Sequence, residues 1–198
     1  MGRLNRLWKI VTHPRELRLA LSGLGTRLAG DADFGGLSAE ETAALAAWVR
    51  RTAPAVVVEI GTLFGLTAAA LTRESDAHLV AVDNFSWNPF GLTPDQHEAF
   101  ARRILEGSRV ELVRADAVEY LSTLRMNGRA EGAFVFLDGS HAYDDVRREI
   151  EICLEQGVAT VAGHDFGNEA FGVSQAVRDM LGSPDEVCGT CWMKRGAT

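Results

Sequence analysis

Short apolar runs alternate with stretches of helical periodicity from Ser38 onward. Ser38-Ala39-Glu40-Glu41 is a capping box, and Leu45, Trp48 and Val49 then recur on one helical face until Pro54. Ala55 to Ile60 is rich in β-branched residues, the mark of a buried strand, and glycines at 61 and 65 break it into a small-residue helical segment, Thr67 to Leu71. Leu79-Val80-Ala81-Val82 is a second strand that ends on Asp83. Two strands separated by a helix-length segment make a βαβ unit, which requires a parallel crossover. Thr93-Pro94-Asp95-Gln96 opens the next helix with a Thr cap, an early Pro and a Gln that completes the box. Its inward face reads as Phe100 and Ile104, and it stops at Gly107. Val110 to Val113, Ala133 to Leu137 and Ala159 to Ala162 are the third, fourth and fifth strands. Val118, Tyr120, Leu121 and Leu124 mark one intervening helix, and Val146, Ile150, Cys153 and Leu154 mark another. A helix from about Glu169 to Leu181 leads into a last strand, Glu186 to Lys194. The alternation predicts an α/β fold, a doubly wound, mostly parallel sheet of six to seven strands with helices on both faces.

Residues 1–37 stand apart from this pattern. Leu4, Leu7, Trp8 and Val11 recur at helical spacing between Arg3, Arg6 and Lys9, which predicts a basic amphipathic helical extension ahead of one domain, residues 38–198. The extension reads as a cap on that domain or an arm that forms a homodimer, and more weakly as a membrane-surface helix. The 198 residues, 46% hydrophobic and 24% charged, are an ordinary globular composition. A net charge of −7 argues against a nucleic-acid partner. No apolar run is long enough to cross a bilayer, and the arginines scattered through Met1 to Ala20 leave no signal-peptide core, so a cytoplasmic protein without integral membrane association is expected. The cysteine count of 3 is odd and argues against a disulfide framework. Cys188-x-x-Cys191 lies in an apolar stretch read as a buried terminal strand, with neither a second Cys pair nor a nearby His to make a zinc site. Cys153 falls on a helix's apolar face and reads as core.

The chemistry is concentrated where strands end. Each of the first five strands runs out onto a polar residue: Glu59, Asp83, Asp116, Asp138 and the pair His164-Asp165. In a parallel sheet those ends share one edge, where open α/β sheets bind ligands. Gathering so many acids costs electrostatic repulsion unless a cationic or hydroxyl-rich ligand offsets it. The glycines at 61 and 65 are read as allowing a ligand close to backbone that a Cβ would shield. Asp83, about twenty residues past the glycine turn, is spaced to accept from ribose hydroxyls, a feature shared with NAD enzymes. The glycine pattern is G-x-x-x-G rather than G-x-G-x-x-G, however, and Glu59 in front of it would repel a pyrophosphate while suiting an ammonium or sulfonium.

These motifs together resemble the class I S-adenosylmethionine-dependent methyltransferases. Within that class the chain is similar to the group with a D-G-x-H-x-Y fourth motif, the macrocin-type, cephalosporin-hydroxylase-like and sugar O-methyltransferases. Glu59-x-Gly61-x-x-x-Gly65 is similar to the first motif, Asp83 to the ribose-binding acid and Asp116-Ala117 to the adenine-contacting pair. Asp138-Gly139-Ser140-His141-Ala142-Tyr143 matches the fourth motif, and Gly163-His164-Asp165 the fifth. The resemblance, over about Ser38 to Arg195, implies a Rossmann-like fold and cofactor contacts at Glu59, Gly61, Thr62, Leu63, Gly65, Thr67, Asp83, Asn84, Asp116, Ala117 and Asp138. It also implies a terminal two-strand hairpin, whereas the segment after Leu181 has room for about one strand.

Methyl transfer from a sulfonium is an in-line displacement that needs alignment and, for an alcohol, a way to remove a proton. Related enzymes often bind a divalent metal to lower the hydroxyl pKa, and the resemblance would place Mg2+ on Asp138, Asp165 and His164, although imidazole is an atypical magnesium ligand. The competing reading has His164 cap the following helix or bond the substrate. His141 is the first choice for general base, with a structural ring before Tyr143 as the alternative. Asp138 either supports catalysis or holds the methionyl ammonium. Tyr143 reads as packing, and the aromatic stretch Phe85 to Phe90 as an adenine cover, an acceptor lid or a plain hydrophobic loop. The expected function is O-methylation of a small hydroxylated acceptor, a sugar or secondary metabolite. The rival readings are a non-catalytic cofactor-binding scaffold and, further behind, an NAD-linked oxidoreductase.

Overall fold

The computed structural model of the chain describes residues 36–87 and 92–196. The predicted N-terminal helix, and with it the dimer-forming arm, falls outside these residues, as do Asn88, Pro89 and Phe90 of the aromatic stretch. The first described helix, α1 (Ala39–Thr52), starts at the predicted capping box: the Ser38 hydroxyl accepts from the Glu41 N–H and the Glu41 carboxylate accepts from the Ser38 N–H. Then follow β1 (Val56–Ile60), α2 (Leu66–Glu74), β2 (His78–Asp83), α3 (Pro94–Ile104), β3 (Val110–Arg114), α4 (Ala117–Leu121), β4 (Ala133–Leu137), α5 (Tyr143–Gln156), β5 (Thr160–Gly163) and α6 (Val173–Leu181). The chain closes with β6 (Glu186–Cys188) and β7 (Cys191–Arg195).

The strands form one 7-stranded sheet in the order β3-β2-β1-β4-β5-β7-β6. Strands β1 to β5 are parallel, and β7 runs antiparallel to both β5 and β6. The Rossmann-like expectation holds, with one change at the end. The stretch read as a single last strand folds back at Gly189-Thr190, with Cys188 paired to Cys191, so the terminal hairpin is present after all. A two-residue turn inside an apolar stretch is too slight a break to show in periodicity.

The strands' period-two alternation sends side chains to two cores. Val58, Ile60, Val80, Val135 and Val161 pack under α4, α5 and α6; Val57, Leu79, Phe134, Phe136 and Met193 pack with Leu45, Trp48 and Leu71 of α1 and α2. Cys153 is fully buried in the first of these. Helix α3 turns differently from the prediction: His97 and Ala101 face inward, while Phe100 and Ile104 are only partly covered. Helix α6 begins at Val173, leaving residues 164–172 as a loop over the sheet edge. Two of the contacts that fasten α1 to the terminal hairpin meet at Glu186. Trp48 Nε1 donates to Glu186 Oε2 at 2.9 Å, and Arg51 pairs with the same carboxylate.

Candidate active site

One register row runs across the sheet: Val113, Val82, Ile60, Leu137 and Gly163 are successive partners from β3 to β5. The next residues along those strands are Arg114, Asp83, Gly61, Asp138 and His164, so the polar positions sit on one rim. The strand order reverses between β1 and β4, and a crevice at that switch is where doubly wound sheets take ligands.

Beneath the rim, Glu59 is 1% exposed and accepts from the Thr62 hydroxyl at 2.5 Å. Burial pushes its carboxyl up to about 8, against the Thr62 bond, and the negative neighbours Asp138 and Asp83 add to the rise. Without a cation beside it, Glu59 is therefore protonated at neutral pH. An ionised Glu59, the form that suits an ammonium or sulfonium, therefore needs such a cation beside it, a requirement that sequence spacing does not report. Gly61 has φ of +82°, and a Cβ there would lie 2.3 Å from the Asp138 carbonyl oxygen. At Gly65 (φ +78°) a Cβ would meet the Leu105 side chain at 2.8 Å. The immediate reason for both glycines is therefore contact within the protein.

The Asp83 carboxylate is already engaged: Oδ2 accepts from the Leu63 N–H at 2.8 Å and Oδ1 from the Phe85 N–H at 2.7 Å. These bonds hold the turn after β1 and the start of the aromatic stretch against the end of β2, and each oxygen keeps a lone pair. Leu63 is held at φ +50° and Phe85 at φ +57°. Asn84 is exposed and bonds its own turn at Ser86. Asp116 is exposed too, and caps α4 through the Val118 and Glu119 N–H groups, which places Ala117 at the first helical position. Thr67 lies in the first turn of α2, whose cap residue Gly65 offers no side-chain acceptor. His97 was not anticipated. Its ring is 1% exposed, packed 4.9 Å from Phe64 and 5.2 Å from Phe85, and burial lowers its pKa.

At the other end of the rim, the ends of β4 and β5 meet. His164 Nδ1 lies 3.3 Å from Asp138 Oδ1 and 3.5 Å from Asp165 Oδ2. His141 Nδ1 lies 3.2 Å from Asp165 Oδ2, its side chain 39% exposed and its ring stacked on Phe171 at 4.5 Å. The Gly172 N–H donates to the His141 carbonyl, which ties the loop bearing Phe171 to the fourth motif. Asp165 has φ of +61° and accepts from Asn168 Nδ2 at Oδ1. Strain of this kind persists where surrounding contacts over-determine it. Burial alone would lower the His164 pKa, but the Asp138 bond and the charges of Asp138, Asp165 and Glu41 outweigh it and raise it to about 9. Burial raises Asp138, against the His164 bond. His164 caps no helix. Tyr143 packs partly on the core and donates its hydroxyl to Asp179, in keeping with a packing role.

Asp138, His164 and Asp165 each offer a donor atom within 4.8 Å of the others. Ligands about 2.1 Å from one ion at roughly right-angle or tetrahedral spacing lie about 3.0–3.4 Å apart, which the His164–carboxylate distances approach. The residues present therefore fit a divalent cation. Glu41, His164 and Cys191 form a second such group, so a histidine does stand near the C-x-x-C after all. Both Glu41 oxygens are taken there: Oε1 by the Thr190 N–H and hydroxyl, Oε2 by the Ser38 N–H and hydroxyl. A carboxylate so saturated is a poor ligand. Sequence spacing identified Glu41 only as a helix cap and gave no sign of its reach to the far sheet edge.

Residues 58–166 match the family described as a methyltransferase domain. No curated protein matches the chain. Among solved structures, the fold is shared with CalS11, a calicheamicin methyltransferase, at 17% identity over 98% of this chain and 91% of that one, with a TM-score of 0.62. It is also shared with the O-methyltransferase TomG of Streptomyces achromogenes in complex with SAM, at 21% identity, 88% and 87% coverage and a TM-score of 0.61. The Bacillus cereus O-methyltransferase in complex with SAH is similar at 18% identity, 80% and 74% coverage and a TM-score of 0.58. With the matched segment spanning the rim from β1 to the end of β5, the chain belongs to the methyltransferase-domain family and is a class I S-adenosylmethionine-dependent methyltransferase.

Proposed function

We propose that the protein methylates a hydroxyl of a small molecule, a sugar or secondary metabolite, with His141 as general base and a divalent cation on Asp138, Asp165 and His164. The observation that carries the reading is the placement of His141. An imidazole at the open side of the rim, 3.2 Å from the Asp165 carboxylate and backed by Phe171, is built to accept a proton and have the resulting charge compensated. The fold's relatives support the substrate class: CalS11 is a TDP-rhamnose 3'-O-methyltransferase of calicheamicin biosynthesis, and TomG is involved in tomaymycin synthesis.

In this reading the glycine turn, Leu63, Asp83 and Asn84 bind the nucleoside side of S-adenosylmethionine, with Asp116 and Ala117 beside the adenine. Thr62, Thr67 and Gly65 surround its amino-acid side, and Glu59 and Asp138 receive positive charge. The donor supplies an electrophilic methyl whose bond to sulfur breaks with the electron pair staying on sulfur. The acceptor oxygen forms the new bond to carbon, and its proton passes to the free nitrogen of His141. A cation on the Asp138 group, when bound, lowers the acceptor hydroxyl's pKa. The test is release of S-adenosylhomocysteine with a panel of sugar and phenolic acceptors, with and without Mg2+ or Mn2+. His141→Ala is expected to cut turnover by about 10²–10⁴-fold while leaving cofactor affinity within a few-fold. Unchanged turnover would remove His141 from the proton transfer.

A further inference from the structure

His97 lies close to the start of α3, which a capping box fixes: the Thr93 N–H donates to the Gln96 side chain at 2.9 Å and the Gln96 N–H to the Thr93 hydroxyl at 3.3 Å. Its ring is turned inward, 1% exposed, between the equally buried Phe64 and Phe85. The imidazole is tilted 56° to the Phe64 ring at 4.9 Å between centroids, and meets Phe85 edge-on, at 65° and 5.2 Å. Neither ring nitrogen has a partner at hydrogen-bonding geometry among the described residues. Burial lowers the pKa, against the Asp83 charge and the Leu63 carbonyl, so the wedged ring is uncharged at neutral pH. Two unpaired buried nitrogens detract from stability, and the ring therefore serves the fold through packing alone.

The two rings it separates belong to the turns that grip Asp83. Phe64 follows Leu63, whose N–H donates to Asp83 Oδ2 at 2.8 Å, and the Phe85 N–H donates to Oδ1 at 2.7 Å. Leu63 and Phe85 both hold left-handed backbone, at φ +50° and +57°, which is unfavourable for such side chains and persists only where several contacts fix it. The carboxylate holds each of these residues at its N–H; the imidazole holds the adjoining aromatic rings. We propose that His97 is a positioning residue for the cofactor's ribose. By setting the spacing of Phe64 and Phe85, it keeps the two N–H groups on opposite oxygens of Asp83 and so aims the remaining lone pairs of that carboxylate at the ribose hydroxyls. The inference rests on the reading of Asp83 as the ribose acceptor and adds the side chain that orients it.

The test is calorimetric titration of the full chain with S-adenosylhomocysteine and with its 2'-deoxy analogue, alongside thermal melting without ligand. The wild type is expected to bind S-adenosylhomocysteine about 10-fold or more tighter than the analogue, which lacks a hydroxyl to donate to the carboxylate. His97→Leu has a similar volume but no flat ring, and it breaks no hydrogen bond, so it is expected to melt within about 2 °C of the wild type or above it. Its affinity for S-adenosylhomocysteine is expected to fall about 10-fold while that for the analogue stays within about threefold, so the preference for the ribose hydroxyl largely vanishes. Should His97→Leu not fold, Phe64→Leu, which removes one of the two rings flanking the imidazole, carries the same binding expectation. An undiminished preference in His97→Leu would overturn the proposal and leave the reading of Asp83 standing. A loss shared equally by both ligands, or one that tracks a lower melting temperature, would overturn it too, by reducing His97 to a support of the fold. Absence of any preference in the wild type would overturn the proposal together with the reading of Asp83.

Discussion

Glu59 offers the sharpest quantitative test, because its ionisation is opposed by burial and favoured by the ligand the family binds. Folded and without ligand, its carboxyl titrates at about 8; in the unfolded chain it returns to its ordinary value of 4.5. The folded protein therefore holds a proton that the unfolded chain releases. The stabilisation is fully present below 4.5 and is lost as pH rises toward 8. At about 1.4 kcal/mol per pH unit, this window amounts to at most about 5 kcal/mol. Glu59→Gln keeps an acceptor for the Thr62 hydroxyl and removes the titration. Its urea-denaturation free energy, followed from about pH 5 to 9, is expected to decline less steeply than that of the wild type by an amount of this order. Cofactor binding supplies the complementary reading. A sulfonium and an ammonium near the rim favour the ionised carboxylate, so binding at about pH 7 is expected to release a proton, measured by calorimetry in buffers of different ionisation enthalpy. The variant is expected to release less and to bind more weakly. Parallel stability curves for wild type and Glu59→Gln would refute the reasoning, since they would mean that Glu59 is already ionised in the fold.

Two further outcomes follow from the same geometry. Gly61→Ala puts a side chain at φ +82°, 2.3 Å from the Asp138 carbonyl oxygen, and is expected to cost about 3 kcal/mol or more in urea denaturation; a loss below about 1 kcal/mol would show that the end of β4 yields. Glu149 on α5 is 4% exposed with Oε2 unpartnered, and burial, with Asp145 and Asp116 adding, raises it to about 8. Glu149→Gln is expected to melt above the wild type at about pH 9 and no higher than it at about pH 5, and the reverse order would contradict a buried neutral carboxyl.

Much of this architecture was legible in the residues because burial on both faces leaves little choice of sequence. Val56 to Ile60 and Ala133 to Leu137 are almost wholly apolar for that reason, and the first polar residues after them mark the rim. The motif residues Gly61, Asp83, Asp138, His141, His164 and Asp165 do fall along that edge. What stayed hidden depends on tertiary environment. The Gly189-Thr190 turn is too short to interrupt an apolar pattern. The inward face of α3 is set by what Phe64 and Phe85 leave open, so His97 displaced the predicted Phe100. A carboxylate's protonation state depends on desolvation, so the raised pKa of Glu59 could not be read from its spacing. Glu41 reads locally as a cap because its second set of partners, at Thr190, lies far along the chain.

The fastening of α1 to the terminal hairpin has a consequence for how the domain is handled. Glu186 accepts from both Trp48 and Arg51, and Glu41 accepts from Thr190, so the opening helix and the closing strands are clasped across the edge next to β5. An excised fragment trimmed to residues 58–166 would discard both halves of that clasp and bare the free side of β5. Trimming from either tail would leave one half of the Glu41–Thr190 contact without its partner.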